Sequence, residues 1–397
     1  MRLLGVAMAV VLVSGATVAA YVAHDLSSAF AEGAVALDGQ DDLPPDIGAF
    51  EGGVNIMLIG SDECEEGYIE LFGDRCEDDD GGARNDVNML VHISDEPRKV
   101  TVVTFPRDLM VPIPECTDEN GEATWPQERA QINTALETGG INCVVNTISE
   151  LSGEDIQFAA KLTWLGVIEI TNAIGGVEVC VANGITDEHT ELNLTAGTHQ
   201  LQGWEALQFM RTRYGVGDGS DLGRVSNQQV YMSALARKMV SKEVLTNPAT
   251  LLKLARTTLE NVTPSQSLTN PMTLAQIGLA VKDVPFSDMV FVQYPVFDDP
   301  YDENRVVPDY ESAEALWNAL NENQSLEVTG KSDSVIVADD DGTVPEPPGD
   351  GLEIDESESP SPAPSPSDKP GVAVLPDTIK GTNADEVTCS NGVGFWE

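Results

Sequence analysis

Twenty-one consecutive residues, Leu3 to Ala23, carry no charged side chain. About 20 apolar residues are what a helix needs to cross a bilayer, so this run dictates where everything after it must fold. Arg2 precedes the run, and His24 and Asp25 follow it. The positive-inside rule then keeps the N-terminus in the cytoplasm and puts the body outside. Residues 1–24 are read as the transmembrane signal anchor of a single-pass cell-membrane protein with an extracytoplasmic body. The small residues Ala16, Ala19 and Ala20 leave peptidase cleavage as the alternative.

The six cysteines agree with a body outside the membrane. None forms a C-x-x-C pair, and His24, His92, His189 and His199 show no metal-ligand spacing. An even count in that setting reads as disulfides. Cys64 with Cys76 would staple one acidic loop and Cys116 with Cys143 another. Cys180 with Cys389 follows by elimination, with free buried thiols as the alternative for that pair. The 66 acidic and 21 basic side chains give a net charge of -45, which repels nucleic acid and anionic lipid over any broad face. The acidity keeps the body soluble and says little about chemistry.

Residues 25–50 are Gly-, Asp- and Pro-rich and read as a stalk. Regular patterns run from 51 to 327. Apolar runs predict strands at Val54–Gly60, Asn88–Ile93, Val100–Phe105, Val177–Val181 and within Pro285–Val296, with a hairpin turn at Asp95–Lys99. Helical spacing predicts helices at Trp164–Ala173, Gly203–Met210, Asn227–Val240, Pro248–Glu260 and Ser312–Asn321, and one from Ile132 to Leu151 broken at Gly139-Gly140. This mixture predicts a layered α-β-α domain of the α/β class around one central mixed sheet. Residues 328–370, acidic and then Pro/Ser-rich, read as a disordered linker, and 371–397 as a short C-terminal tail that Cys389 pins to the body.

The chemistry is carried by arginine. Five of the 12 arginines, Arg84, Arg107, Arg211, Arg213 and Arg224, fall in short polar motifs at expected strand or helix ends. A guanidinium offers a planar fork of donors that grips phosphate bidentately. An extended Arg211-Thr212-Arg213 would point both forks to one side. Asp62 and Asp86 stand at strand ends, where clefts form in open α/β sheets, and a pair of carboxylates with phosphate oxygens is a common way to hold Mg²⁺. Composition alone leaves open that these arginines only neutralise surface carboxylates and that the two aspartates are turn residues. A phosphate loop G-x-x-x-x-G-K-[ST], a G-x-S-x-G elbow and an H-E-x-x-H helix are all absent, which argues against an ordinary nucleotidase, esterase or metalloprotease.

An ordered set of motifs gives these residues a context. Asn55-Ile56-Met57-Leu58-Ile59-Gly60-Ser61-Asp62 is followed by Arg84-Asn85-Asp86, Phe105-Pro106-Arg107-Asp108, Ile132-Asn133-Thr134-Ala135 with Gly139-Gly140, and Ala173-Ile174-Gly175-Gly176-Val177. Then come Leu201–Leu207, Arg211-Thr212-Arg213-Tyr214 and Asp221-Leu222-Gly223-Arg224 running on to Gln228-Gln229. Over residues 53–325 the chain resembles the LytR–CpsA–Psr family of cell-wall glycopolymer transferases. The resemblance implies an enzyme that moves a glycopolymer from a polyprenyl-pyrophosphate carrier to peptidoglycan through a phosphodiester. It assigns Arg84, Arg107, Arg211, Arg213, Arg224 and Gln228 to the pyrophosphate, with Asp62 and Asp86 as ligands of Mg²⁺. Arg84, Asp86, Arg107, Arg211 and Arg213 are the catalytic candidates, and Asp86 or Asp62 the candidate base. Asp108 is assigned to orienting Arg107. The prenyl chain is expected in a tunnel between the sheet and the helices at Ile132–Leu151 and Trp164–Ala173.

Two positions depart from the family pattern. Gln131 stands where relatives often carry a basic residue, and Val111 where a further arginine is sometimes found. Arg305 is the candidate replacement. Hydrolysis of the carrier by water and non-catalytic binding of lipid-linked wall polymer are the rival readings.

Overall fold

Strand β1 (Val54–Ser61) is apolar on both of its faces, so it needs a layer of protein on each side. It is an interior strand, third of seven, in the central sheet of a computed structural model of the chain, which describes residues 33–38, 48, 50, 52–63, 83–118, 120–332, 334–337 and 371–393. The expected anchor, most of the stalk, the Cys64 and Cys76 pair and the Pro/Ser-rich stretch lie outside the described residues. Among the described residues no helix is long and apolar enough to cross a membrane.

In chain order, β2 (Asn85–Ile93) and β3 (Val100–Phe105) form the expected hairpin, and β4 (Met110–Ile113) pairs with β5 (Gln127–Gln131) beside it. Helix α1 (Ala135–Ser152), strand β6 (Phe158–Leu162), helix α2 (Trp164–Ala173), β7 (Val177–Val181) and β8 (Gly197–Leu201) follow. Next come α3 (Gly203–Arg211), α4 (Asp221–Met239), α5 (Pro248–Asn261), β9 (Val262–Pro264), α6 (Pro271–Val281), β10 (Met289–Gln293) and α7 (Tyr310–Asn321). Near the C-terminus, β11 (Val335–Val337), β12 (Gly381–Asn383) and β13 (Thr388–Ser390) join the two larger sheets. The central order is β9-β6-β1-β2-β3-β10-β12. β1 pairs antiparallel with β2 and parallel with β6, and β3 pairs parallel with β10. The sheet is therefore mixed, as expected for the α/β class.

The two faces of this sheet are packed differently. On one, Met57, Ile59, Leu90 and Val103 are 0–1% exposed beneath α1 and α7. Helix α1 breaks where the sequence predicts, at Gly139 and Gly140, the latter at φ 67°. A side chain at Gly139 would meet Cys143 at 3.0 Å and Cys116 at 3.1 Å, the two halves of a disulfide. On the other face, below α4, α5 and α6, Leu58, Val91 and Val100 stay only partly buried although they sit on interior strands. Among the described residues, the apolar side chains of α1 pack closely on their face of the sheet, and the less fully covered apolar side chains lie on the opposite face.

The C-terminal segment belongs to the body. β12 forms the far edge of the central sheet, and β13 lies between β7 and β11 in a second sheet of order β8-β7-β13-β11. The Cys180–Cys389 disulfide bridges β7 to β13. Val335–Val337, which the sequence places in the linker, is thus a strand. Three-residue strands carry too little alternation to be read in advance.

Candidate active site

The site collects where strand ends meet. Gly60 pairs with Val87 and Leu162, and Ser61 pairs with Asn85 after a register shift, so the C-terminal ends of β1 and β6 meet the start of β2. Asn88 near the start of β2 pairs with Phe105 at the end of β3. Asp62, Asp86 and Arg107 therefore leave the sheet along one edge. Buried Asn85 fixes this corner: its side chain donates to Asn88 Oδ1 at 2.7 Å and to the Ile132 carbonyl at 3.0 Å, and accepts from the Leu136 amide at 3.0 Å.

Arg107 is the hub. Its Nη1 lies 3.2 Å from Asp86 Oδ2, its Nε 3.5 Å from Asp221 Oδ1 and 3.9 Å from Asp108 Oδ2. Its amide donates to Asp221 Oδ2 at 3.1 Å. Asp221 opens α4, whose first turn Ser220 caps by accepting from the Gly223 amide. One turn on, buried Arg224 places Nη2 2.7 Å from Asp221 Oδ1 and donates to the Asp86 carbonyl at 3.1 Å. Asp108 accepts from Arg305 Nη1 at 3.0 Å and from Gln131 Nε2 at 2.9 Å. Asp86 Oδ1 also faces Asn133 Nδ2 at 3.4 Å.

Burial pulls the Arg107 pKa down, but the charges of Asp86, Asp221 and Asp108 outweigh it and hold the guanidinium firmly protonated. Burial, and then the Asp221 charge, push Asp108 up, against Arg107, Arg305 and Arg213. The Nε atoms of Arg107 and Arg224 are buried without a hydrogen-bond acceptor. An arrangement of guanidinium groups held in place by carboxylates is suited to binding a multiply charged phosphate.

The remaining sequence candidates lie around this hub. The Asp62 carboxylate accepts from the Arg84 amide at 2.7 Å, which ties β1 to the start of β2. The Arg84 side chain is half exposed, 3.8 Å from Glu137. Arg211 and Arg213 do not point to one side as an extended pair would. Arg211 closes α3 and stacks over Trp164 at 4.0 Å, whereas Arg213 donates Nε to the Gly219 carbonyl at 3.0 Å. Asp187 fixes this turn by accepting from Thr212 Oγ1 at 2.6 Å and from the amides of Arg213 and Tyr214. Gln228 is buried, and its amide donates to the Met210 carbonyl at 3.1 Å, supporting the end of α3. Asp108 is engaged more closely by Arg305 and Gln131 than by Arg107. Sequence reasoning assigned no role to Asp221, although its i,i+3 spacing from Arg224 at a helix start was a usable signal.

The LytR_cpsA_psr family profile matches residues 19–322. The chain belongs to this family. The cell wall biosynthesis protein LcpA of Corynebacterium glutamicum is 27% identical over 358 residues, covering 83% of this chain and 66% of that protein. The polyisoprenyl-teichoic acid–peptidoglycan teichoic acid transferase TagT of Bacillus subtilis is 27% identical over 251 residues, covering 61% of this chain and 70% of that protein. A solved LytR-Csp2A-Psr enzyme from Actinomyces oris shares the fold, with a TM-score of 0.54 at 23% identity over 72% of this chain and 94% of that one. The chain thus spans about two thirds of the length of its curated relative LcpA.

Asp62 and Asp86 are the acidic groups that a divalent cation beside the phosphate would use. Asp62 and Asp86 leave the same sheet edge, joined through the Asp62–Arg84 backbone pair. Among the described residues no group of three or more His, Cys, Asp or Glu side chains converges as a metal site. Two carboxylates are what a Mg²⁺ that keeps its waters and shares a phosphate requires.

Proposed function

We propose that this chain transfers a glycopolymer from a polyprenyl-pyrophosphate carrier to peptidoglycan, outside the cytoplasmic membrane, through a phosphodiester bond. The observation that carries this reading is the Arg107–Asp86–Arg224–Asp221 cluster at a strand edge of a sheet whose neighbouring apolar face is only partly covered. The cluster suits a pyrophosphate, and the loosely packed face beside α5 and α6 suits a prenyl chain. The names carried by the relatives point the same way.

In this scheme Arg107 and Arg224 bind the pyrophosphate, and Arg213 and Arg305 add positive charge on the Asp108 side. Asp221 holds Arg107 and Arg224 in one orientation, so little reorganisation is needed as charge shifts in the reaction. An acceptor hydroxyl of peptidoglycan attacks the phosphorus bonded to the glycopolymer. The bond from that phosphorus to the bridging oxygen breaks, and polyprenyl phosphate leaves. Asp86 is the candidate base for the hydroxyl proton. Mg²⁺ held by Asp62 and Asp86 would neutralise phosphate charge.

The test is a reaction of the full chain with a short-chain lipid-pyrophosphate oligosaccharide, peptidoglycan and Mg²⁺. A polymer–peptidoglycan phosphodiester supports transfer. Free polymer phosphate alone would assign the chain to hydrolysis, and binding without turnover would make it a carrier protein.

A further inference from the structure

A second long uncharged run lies inside the folded body. No charged residue occurs from Asn261 to Val281, 21 positions, in a chain where 22% of residues are charged. The run includes β9 and all of α6. The inner side of α6 packs Ile277, Ala280 and Val281 against the cluster that also takes in Leu58 and Val91 of the loosely covered sheet face. Its outer side is apolar as well. Met272 and Leu279 are 62% exposed and Leu274 40%. Ala275 and Gly278 are exposed between them, and a side chain at Gly278 would meet nothing within 4 Å. At about 100° per residue these five positions cover roughly 160° of the helix surface. An apolar arc of this breadth on a soluble surface needs a partner.

Two observations identify that partner. The first is charge: residues 253–283, the segment that surrounds α6, carry three basic side chains (Lys253, Arg256, Lys282) against two acidic ones (Glu260, Asp283), in a chain of 21 basic and 66 acidic residues. This part of the protein is net positive although the whole is strongly negative, the pattern that favours an anionic lipid surface. The second is the tether. Val35 is bound into the body at this place, its amide donating to the Pro264 carbonyl at 3.0 Å and its carbonyl accepting from the Gln266 amide at 2.8 Å. Val35 lies only 12 positions beyond Ala23, the end of the uncharged run, at most about 40 Å of extended chain.

We propose that the outward arc of α6 seats in the outer surface of the membrane, which brings the apolar sheet face beneath the helix next to the lipid. The inference rests on the lipid-linked substrate proposed above and on the membrane anchor that the sequence predicts. It gives the carrier a path from the bilayer to the arginine cluster that avoids water.

The experiment uses the full chain in vesicles of phosphatidylglycerol and phosphatidylethanolamine with brominated acyl chains. A tryptophan is introduced by Leu279→Trp or, as a control, by Val387→Trp, an exposed position immediately before β13 and four residues beyond β12, the strand at the opposite edge of the central sheet. We expect at least about twofold stronger quenching of the Leu279→Trp increment, because the helix lies within the interface. Equal quenching of the two increments overturns the proposal. So does a shielded Leu279→Trp in protein that sediments as a dimer, which would assign the face to a second copy. As a further arm, the double variant Met272→Glu/Leu279→Glu should lose about tenfold of its turnover on a long-chain carrier embedded in vesicles and keep its rate on a short-chain soluble one. An equal loss on both substrates overturns the proposal. Absence of turnover in the parent with either substrate would defeat the transferase reading alone, since the quenching arm needs no reaction.

Discussion

At the residue scale, the site depends on how carboxylates hold arginines. Arg107→Lys keeps one charge but loses the fork that meets Asp86 and Asp221. Its kcat/KM should fall about 100-fold, the order of losing one preorganised donor, with the melting temperature little changed. Asp221→Asn should lower kcat through Arg107 and Arg224 without altering the metal requirement, and a titration of activity against Mg²⁺ separates the two effects. Chelation with EDTA should abolish turnover, and Mg²⁺ should restore it. A different group controls stability against pH. Burial lowers the His92 pKa from 6.5 to about 4. The unfolded chain then binds more protons than the folded one between these values, so stability is complete above pH 6.5 and declines toward pH 4. The loss is about 3 kcal/mol, and denaturant midpoints of His92→Gln across that window should show a flatter profile. The arginines of the hub were legible in the sequence because short motifs flank them. Asp221 was not, because one carboxylate at a helix start looks like a cap until its partners from another strand are known.

At the element scale, α1 and α6 behave in opposite ways. Gly140 sits at φ 67° and ψ -162°, a region open only to glycine, so Gly140→Ala should destabilise the fold by about 2 kcal/mol, readable in urea unfolding. The glycine pair marked this break in the sequence, and α2, α5 and α7 were legible from helical spacing. Helix α4 starts at Asp221 and not at Asn227, because its first turns bury polar residues such as Arg224, Asn227 and Gln228 in the site and its supports. Periodicity of apolar residues cannot register such a turn. Helix α6 lacked the contrast that betrays an amphipathic helix, since both of its sides are apolar. Strands β6 and β9 are too short and too mixed to stand out.

At the scale of the whole molecule, a stretch that read as a tail completes two sheets. The Cys180–Cys389 bond closes a loop across a sequence separation of 209. Removing it by Cys389→Ser should lower stability by about 3 kcal/mol, measured by thermal unfolding with and without reductant. Protein cut between residues 357 and 370 should run as one species on a non-reducing gel and as two after reduction.

Strand β13 must find β7 across that separation, and β12 must find β10 across most of a hundred residues of chain. Such pairings raise the contact order, and chains that depend on them fold slowly. Neither the central sheet nor the second sheet is finished until β12 and β13 have been made. The body therefore completes its fold late, and a ribosome-bound chain that stops short of residue 381 lacks both the edge strand β12 of the central sheet and the inner strand β13 of the second.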